Sequence, residues 1–151
     1  MPPHAQVDVS RLNALLGCEL SAVEIYNLAI SRVGDEHAEE SFELSRLAIE
    51  HQTQSNLLKA EICRRGGKAR AGVGDWSPYA QAIADTENLF GDVVALGALR
   101  EGELRGLEEY RAVLADDTLD GPTRRLLCDR LIPGKERHIA TLDALIRRLT
   151  V

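Results

Sequence analysis

Two stretches of the chain carry the same chemically active residue types at the same spacing. Residues 19–30 read ELSAVEIYNLAI and residues 103–114 read ELRGLEEYRAVL. Glu19, Leu20, Glu24 and Tyr26 return as Glu103, Leu104, Glu108 and Tyr110, each 84 positions later (103 − 19). Gly106 is the one helix-weakening residue in either stretch, so both read as helix. On a helix, Glu19 and Tyr26 stand two turns apart on one stripe, as do Glu103 and Tyr110. A carboxylate set into an apolar stripe is costly unless it meets a cation, a donor or a metal.

The other two long helical patterns carry polar groups at matching depth. In the segment near 36–65, Leu44, Leu47, Leu58 and Ile62 fall at inward spacing, and His51 and Gln54 fill the gap, with Glu50 on the shoulder. In the segment near 123–149 the stripe runs Leu127, Leu131, Lys135, His138, Leu142, Leu145 and Leu149. Two facing carboxylates in a low-dielectric core repel, and a cation between them relieves this. That cation is either a metal pair or a protonated side chain. If Lys135 faces inward it supplies the charge itself; if Glu136 is rotated inward instead, it adds a metal ligand.

The elements that position these groups follow from caps and breaks. Ser10 reads as the N-cap of a first helix over 11–33, stopped by Gly34. Its seam is Leu12, Leu15, Leu16, Glu19, Val23, Tyr26 and Ile30. Asp35 caps the second helix, and Gly66-Gly67 ends it. Residues 66–77, GGKARAGVGDWS, read as a loop in which Trp76 plugs the bundle side. Ser77-Pro78 opens a short helix to about residue 88. Gly91 breaks it, and Asp92 caps a third long helix to about residue 115, with seam Val93, Leu96, Leu99 or Arg100, Glu103, Leu107, Tyr110 and Leu114. Pro133 inside the fourth helix removes a hydrogen bond, frees the Asp129 carbonyl and predicts a kink, or else a break between two helices. The expected fold is all-α: one domain over 1–151, a duplicated helical hairpin forming an up-down four-helix bundle, with a short extra helix between helices 2 and 3.

Composition supports this. The chain is 151 residues with 44% apolar and 4% aromatic side chains, a helix-favouring balance for one full core. The net charge of −6 is spread along the chain, and no basic patch interleaved with aromatics points to nucleic acid. Cys18, Cys63 and Cys128 form no CxxC pair and read as reduced cytoplasmic thiols. No signal peptide or membrane span is expected. Glu24 and Glu108 read as solvated flank charges, His4 and His37 as surface, and Tyr26 and Tyr110 as core residues whose hydroxyls reach the carboxylates.

The stretch LNALLGCELSAVEIYNLAI resembles the first helix of bacterioferritins and other ferritin-like di-iron proteins, where a Glu stands seven residues before an aromatic. ELRGLEEY is similar to their third helix, and the loop with its short helix looks like that of a bacterial ferritin-like subfamily of unknown function. The resemblance implies a carboxylate/histidine site for iron or another divalent metal, drawn from Glu19, Glu50, His51, Glu103, Glu136 and His138. Such proteins carry Glu-x-x-His on helices 2 and 4; here the inward pairs are His51-x-x-Gln54 and Lys135-x-x-His138, so the site is altered. The alternative is a non-catalytic bundle, stress-related or acting by association, in which Lys135 replaces the metal. The net charge of −6 and the few aromatics lead to the expectation of a homodimer through an outer helix face, without nucleic-acid or membrane partners, and the fifth short helix with which ferritin-like cages close is not expected.

Overall fold

The computed structural model describes residues 3–70, 72 and 77–150, and every regular element among them is helical. The long elements are α1 (Pro3–Ser31), α2 (Ala38–Arg64) and α4 (Val93–Leu114), with a short α3 (Ser77–Asp85) in the connection between α2 and α4. A last continuous rod consists of α5 (Gly121–Leu126), a π-helical turn (Leu127–Leu131) and α6 (Ile132–Thr150). Single 3₁₀ turns at Asp35–His37 and Leu89–Gly91 precede α2 and α4. α1 lies along α2, α4 lies along α6, and α3 packs on α4 and α1. This is an up-down four-helix bundle made of two hairpins.

The apolar core is split in two by a polar layer. One cluster contains Ala22, Tyr26, Leu44, Leu47, Leu96, Leu99, Leu142 and Leu145. The other contains Leu12, Leu16, Leu58, Ile62, Tyr110, Leu127 and Leu131. On every long helix the residues between the clusters are polar and buried: Glu19, His51 with Gln54, Glu103, and Lys135 with His138.

Several boundaries differ from the sequence expectation. α1 begins at Pro3, so Ser10 lies inside the helix and caps nothing. Its buried stripe runs through Ala22 and Ala29, while Val23 and Ile30 are half-buried, because a 3.6-residue repeat drifts off a strict seven-residue spacing. Asp35 opens a 3₁₀ turn rather than capping α2, and α3 stops at Asp85. Val93 is exposed, since Ala95 and Leu96 take the inward side of the first turn of α4. Asp92 does cap α4, accepting the Ala95 N–H at 3.1 Å, and Asp120 caps α5 through Thr123 N–H at 3.0 Å. Past the end of α2, Gly66 takes φ 78°, a left-handed turn that only glycine adopts cheaply.

Pro133 neither breaks nor ends the rod. The π turn sits directly before it, where a missing N–H would otherwise strand carbonyls, and the wider turn carries the helix past the proline. The segment Val9–Ser31 is long and apolar enough to cross a membrane by length and composition alone, a test that a core helix also passes, and half of that window is buried inside the bundle. None of the three cysteines is in a disulfide. Trp76 and the side chain of His4 lie outside the described residues. His37 is partly covered, its ring 5.1 Å from that of Phe90.

Candidate functional site

The repeat seen in the sequence becomes a pseudo-twofold in the core. Tyr26 of α1 donates to Glu103 of α4 at 3.2 Å, and Tyr110 of α4 donates to Glu19 of α1 at 2.5 Å. Each tyrosine serves the other helix's carboxylate. The same 84-residue offset relates His51 to Lys135 and Gln54 to His138. The two hairpins thus present the same four positions, filled by Glu19, Tyr26, His51 and Gln54 on one side and by Glu103, Tyr110, Lys135 and His138 on the other.

His51 bridges the two buried carboxylates, with Nδ1 2.6 Å from Glu19 Oε2 and Nε2 2.5 Å from Glu103 Oε1. His138 continues the chain outward: Nδ1 is 3.0 Å from Glu103 Oε2 and Nε2 is 2.5 Å from Glu50 Oε2. Carboxylate and imidazole therefore alternate from Glu19 through His51, Glu103 and His138 to Glu50, whose side chain is 39% exposed. A neutral imidazole donates from one nitrogen only, so a ring flanked by two ionised carboxylates uses both donors when protonated. Lys135 enters from α6, with Nζ 2.9 Å from Glu19 Oε1 and 3.8 Å from Glu103 Oε2, oblique to a hydrogen bond and 5.7 Å from the centre of the Tyr110 ring.

The electrostatics follow from burial opposed by pairing. Burial alone would raise the Glu19 carboxyl, but Lys135 and His51 outweigh it and hold it at about 2. Glu103 is held well below the usual range against burial by His51 and Lys135. Burial pulls the Lys135 ammonium down, and Glu103 and Glu19 more than reverse this. For His51, burial and Lys135 oppose the charged ring, yet Glu103 and Glu19 prevail and raise its pKa above 6.5. Both tyrosines are raised well above 10, by burial first and then by the adjacent carboxylates.

Two glycines make room for this arrangement. A Cβ on Gly106 would stand 3.0 Å from Lys135 Cε and 3.2 Å from Nζ. A Cβ on Gly134 would overlap the end of the Gln54 amide. With its nitrogen toward α1, that amide donates to Glu19 Oε2 at 3.1 Å and Oε1 at 3.3 Å.

Of the expected site residues, Glu19, His51, Glu103 and His138 are buried together, and Glu50 stands at the rim. Glu136 is exposed, one helical position away from the inward-facing Lys135, and does not enter the cluster. Gln54, named from spacing alone, joins as a donor to Glu19. The roles of Gly106 and Gly134 went unread, because a glycine's service to a distant side chain leaves no periodic signal.

The two halves differ in how their donors suit the metal pair that the sequence resemblance implies. Around Glu19 stand the Lys135 ammonium at 2.9 Å and three hydrogen-bond donors, from His51, Tyr110 and Gln54. That half does not fit a metal ion. The other half does: one ligand atom each from His51, Glu103 and His138 lie within 4.8 Å of one another, all buried, in a nitrogen/oxygen set suited to a divalent transition metal.

No family model and no curated protein matches the sequence. Among solved structures the chain is similar to one described as a ferritin like, diiron-carboxylate protein from Bacillus anthracis str. Ames, with 18% identity, a TM-score of 0.77, and coverage of 97% of this chain and 99% of that one. The fold is ferritin-like.

Proposed function

We propose that this chain binds a single divalent transition-metal ion, iron or one of similar preference, at one half of a ferritin-like carboxylate/histidine site, with Lys135 standing in place of a second ion. The observation that carries the reading is the inequality of the two halves. Glu103 takes as many hydrogen-bonding side chains as Glu19, but two of them are imidazoles whose nitrogens lie with its oxygen within 4.8 Å of one another, whereas Glu19 has the Lys135 ammonium at 2.9 Å. The description of the structural neighbour as a diiron-carboxylate protein lends support. A bound ion of this class supplies Lewis-acid or one-electron chemistry. The chain's own part is to hold it: Glu103 as carboxylate ligand, His51 and His138 as nitrogen ligands, and Glu50 orienting His138 through its outer nitrogen. Tyr26 fixes Glu103, and Lys135 keeps the second position cationic. Glu136 is too exposed to contribute.

A second reading is favoured by the inward direction of Lys135. Lys135 and a charged His51 match Glu19 and Glu103, and the two buried carboxylates are balanced without any ion. The bundle would then act by association alone. Elemental analysis of protein purified without chelator, with Zn²⁺ and Fe²⁺ titration calorimetry, separates the readings. One ion per chain supports the first, none supports the second, and two would overturn both. The assembly proposed is a homodimer, and the compartment proposed is the cytoplasm, in keeping with three cysteines outside any disulfide.

A further inference from the structure

The two hairpins close on each other unevenly. α2 and α6 face one another with little direct contact, and a cavity of about 600 Å³ lies between them. A smaller one of about 160 Å³ continues toward the π turn, sharing Glu50 and Arg137 with the first. The α6 wall is kept low by Ala140 and Ala144, one turn apart. The two acids that line the seam are already engaged: Glu43 by Arg148 at 3.1 Å and Glu50 by His138 at 2.5 Å. What remains is cationic. Arg46 from α2 and Arg137 from α6 border the cavity from opposite walls, and among the described residues neither has a carboxylate partner.

We propose that this seam binds a small organic oxyanion, a carboxylate or a phosphate monoester, between the guanidiniums of Arg46 and Arg137. A guanidinium presents a planar fork of donors that matches either group. The cavity has the size of small-molecule sites, and its apolar wall of Leu47, Ala140 and Ala144 suits a ligand with a short hydrocarbon or aromatic body. The site lies outside the buried layer and touches it only through Glu50. It stands or falls independently of metal binding.

The test uses the metal-free full chain at fixed ionic strength, titrated calorimetrically with benzoate and with phenyl phosphate. Saturable binding of one probe per chain is expected, and the tighter probe names the anion's class. Arg46→Gln and Arg137→Gln should each weaken it by about tenfold or more. Arg147→Gln, exposed on α6 outside the seam, should leave it unchanged. Thermal melts should place all three variants close to the parent, since the arginines are on the surface. Absence of saturable binding of both probes in the millimolar range overturns the proposal, as does binding that survives both seam variants.

Discussion

At the scale of single residues, Lys135 decides what the core can hold. Its ammonium is buried and meets two carboxylates, so removing it leaves charge without its partner. Lys135→Met should destabilise the bundle by roughly 3–5 kcal/mol, the cost of breaking a buried pair. Denaturant melts check this, and a variant that melts like the parent would sink the argument. Lys135→Glu restores Glu-x-x-His with His138 and should bind Fe²⁺ or Zn²⁺ more tightly than the parent, and to a higher stoichiometry, in the same calorimetry. The pH dependence of the metal-free protein follows from the shifts. Glu19, at about 2 when folded against 4.5 when free, contributes stability that is complete above 4.5 and lost as pH falls toward 2. Glu103 acts in the same direction. His51 is raised, so its contribution is complete below 6.5 and is lost as pH rises through its folded value. The layer should therefore stabilise most between about 4.5 and 6.5. Melting temperature measured across pH should fall on both sides of that window, and a curve still rising through neutrality would exclude a charged His51.

At the scale of elements, the repeat made much of the site legible. Glu19, Glu103, Tyr26 and Tyr110 follow from one offset, and the inward places of His51, Gln54, Lys135 and His138 follow from helical spacing. Spacing favours Lys135 over Glu136, which stands about 100° further around the helix, and Glu136 stays open only because a local rotation beside Pro133 would restore the Glu-x-x-His pattern. The π turn was also hidden: Pro133 signals a disturbed ladder, but not whether the helix bends, breaks or widens. Nor does sequence say which tyrosine serves which carboxylate, since that depends on how the hairpins cross. Gly106 offers a test of the packing between α4 and α6. Its counterpart in the repeat is Ala22, fully buried, so the α1 side accepts a methyl where the α4 side has none. The difference is the stem of Lys135, which passes over Gly106. Gly106→Ala gains up to about 1 kcal/mol in helix propensity but overpacks a filled site, typically at about 1–3 kcal/mol. A net loss is expected. In a double-mutant cycle with Lys135→Ala the two losses should add to more than the pair costs together, because truncation removes the Cε and Nζ atoms that a Gly106 methyl would meet. Strict additivity would mean that Gly106 does not make room for Lys135.

At the scale of the whole molecule, the proposed homodimer rests on exposed apolar side chains rather than on the core. Phe42, Val93 and Val94 are 66%, 59% and 75% exposed, and Ile49, two turns along α2 from Phe42, is 66% exposed. The ring contact between His37 and Phe90 brings the start of α2 and the start of α4 to one end of the bundle. Single exposed apolar residues need no explanation, but large ones gathered at one end of a chain with net charge −6 make a surface that a second copy can cover. A twofold pairing uses the same patch on both chains and closes the assembly at two, whereas a shell needs further, different contacts. Sedimentation should therefore give about twice the 16.6 kDa chain mass. Phe42→Ser combined with Val94→Ser should shift the population to monomer while leaving the helical signal unchanged, because neither side chain enters the core. The melting temperature of the parent should rise with protein concentration and that of the double variant should not, since only an associating protein gains stability by mass action. A particle of many subunits, or a parent that sediments as a monomer at micromolar concentration, would remove the dimer. An unchanged dimer in the double variant would place the interface on another face.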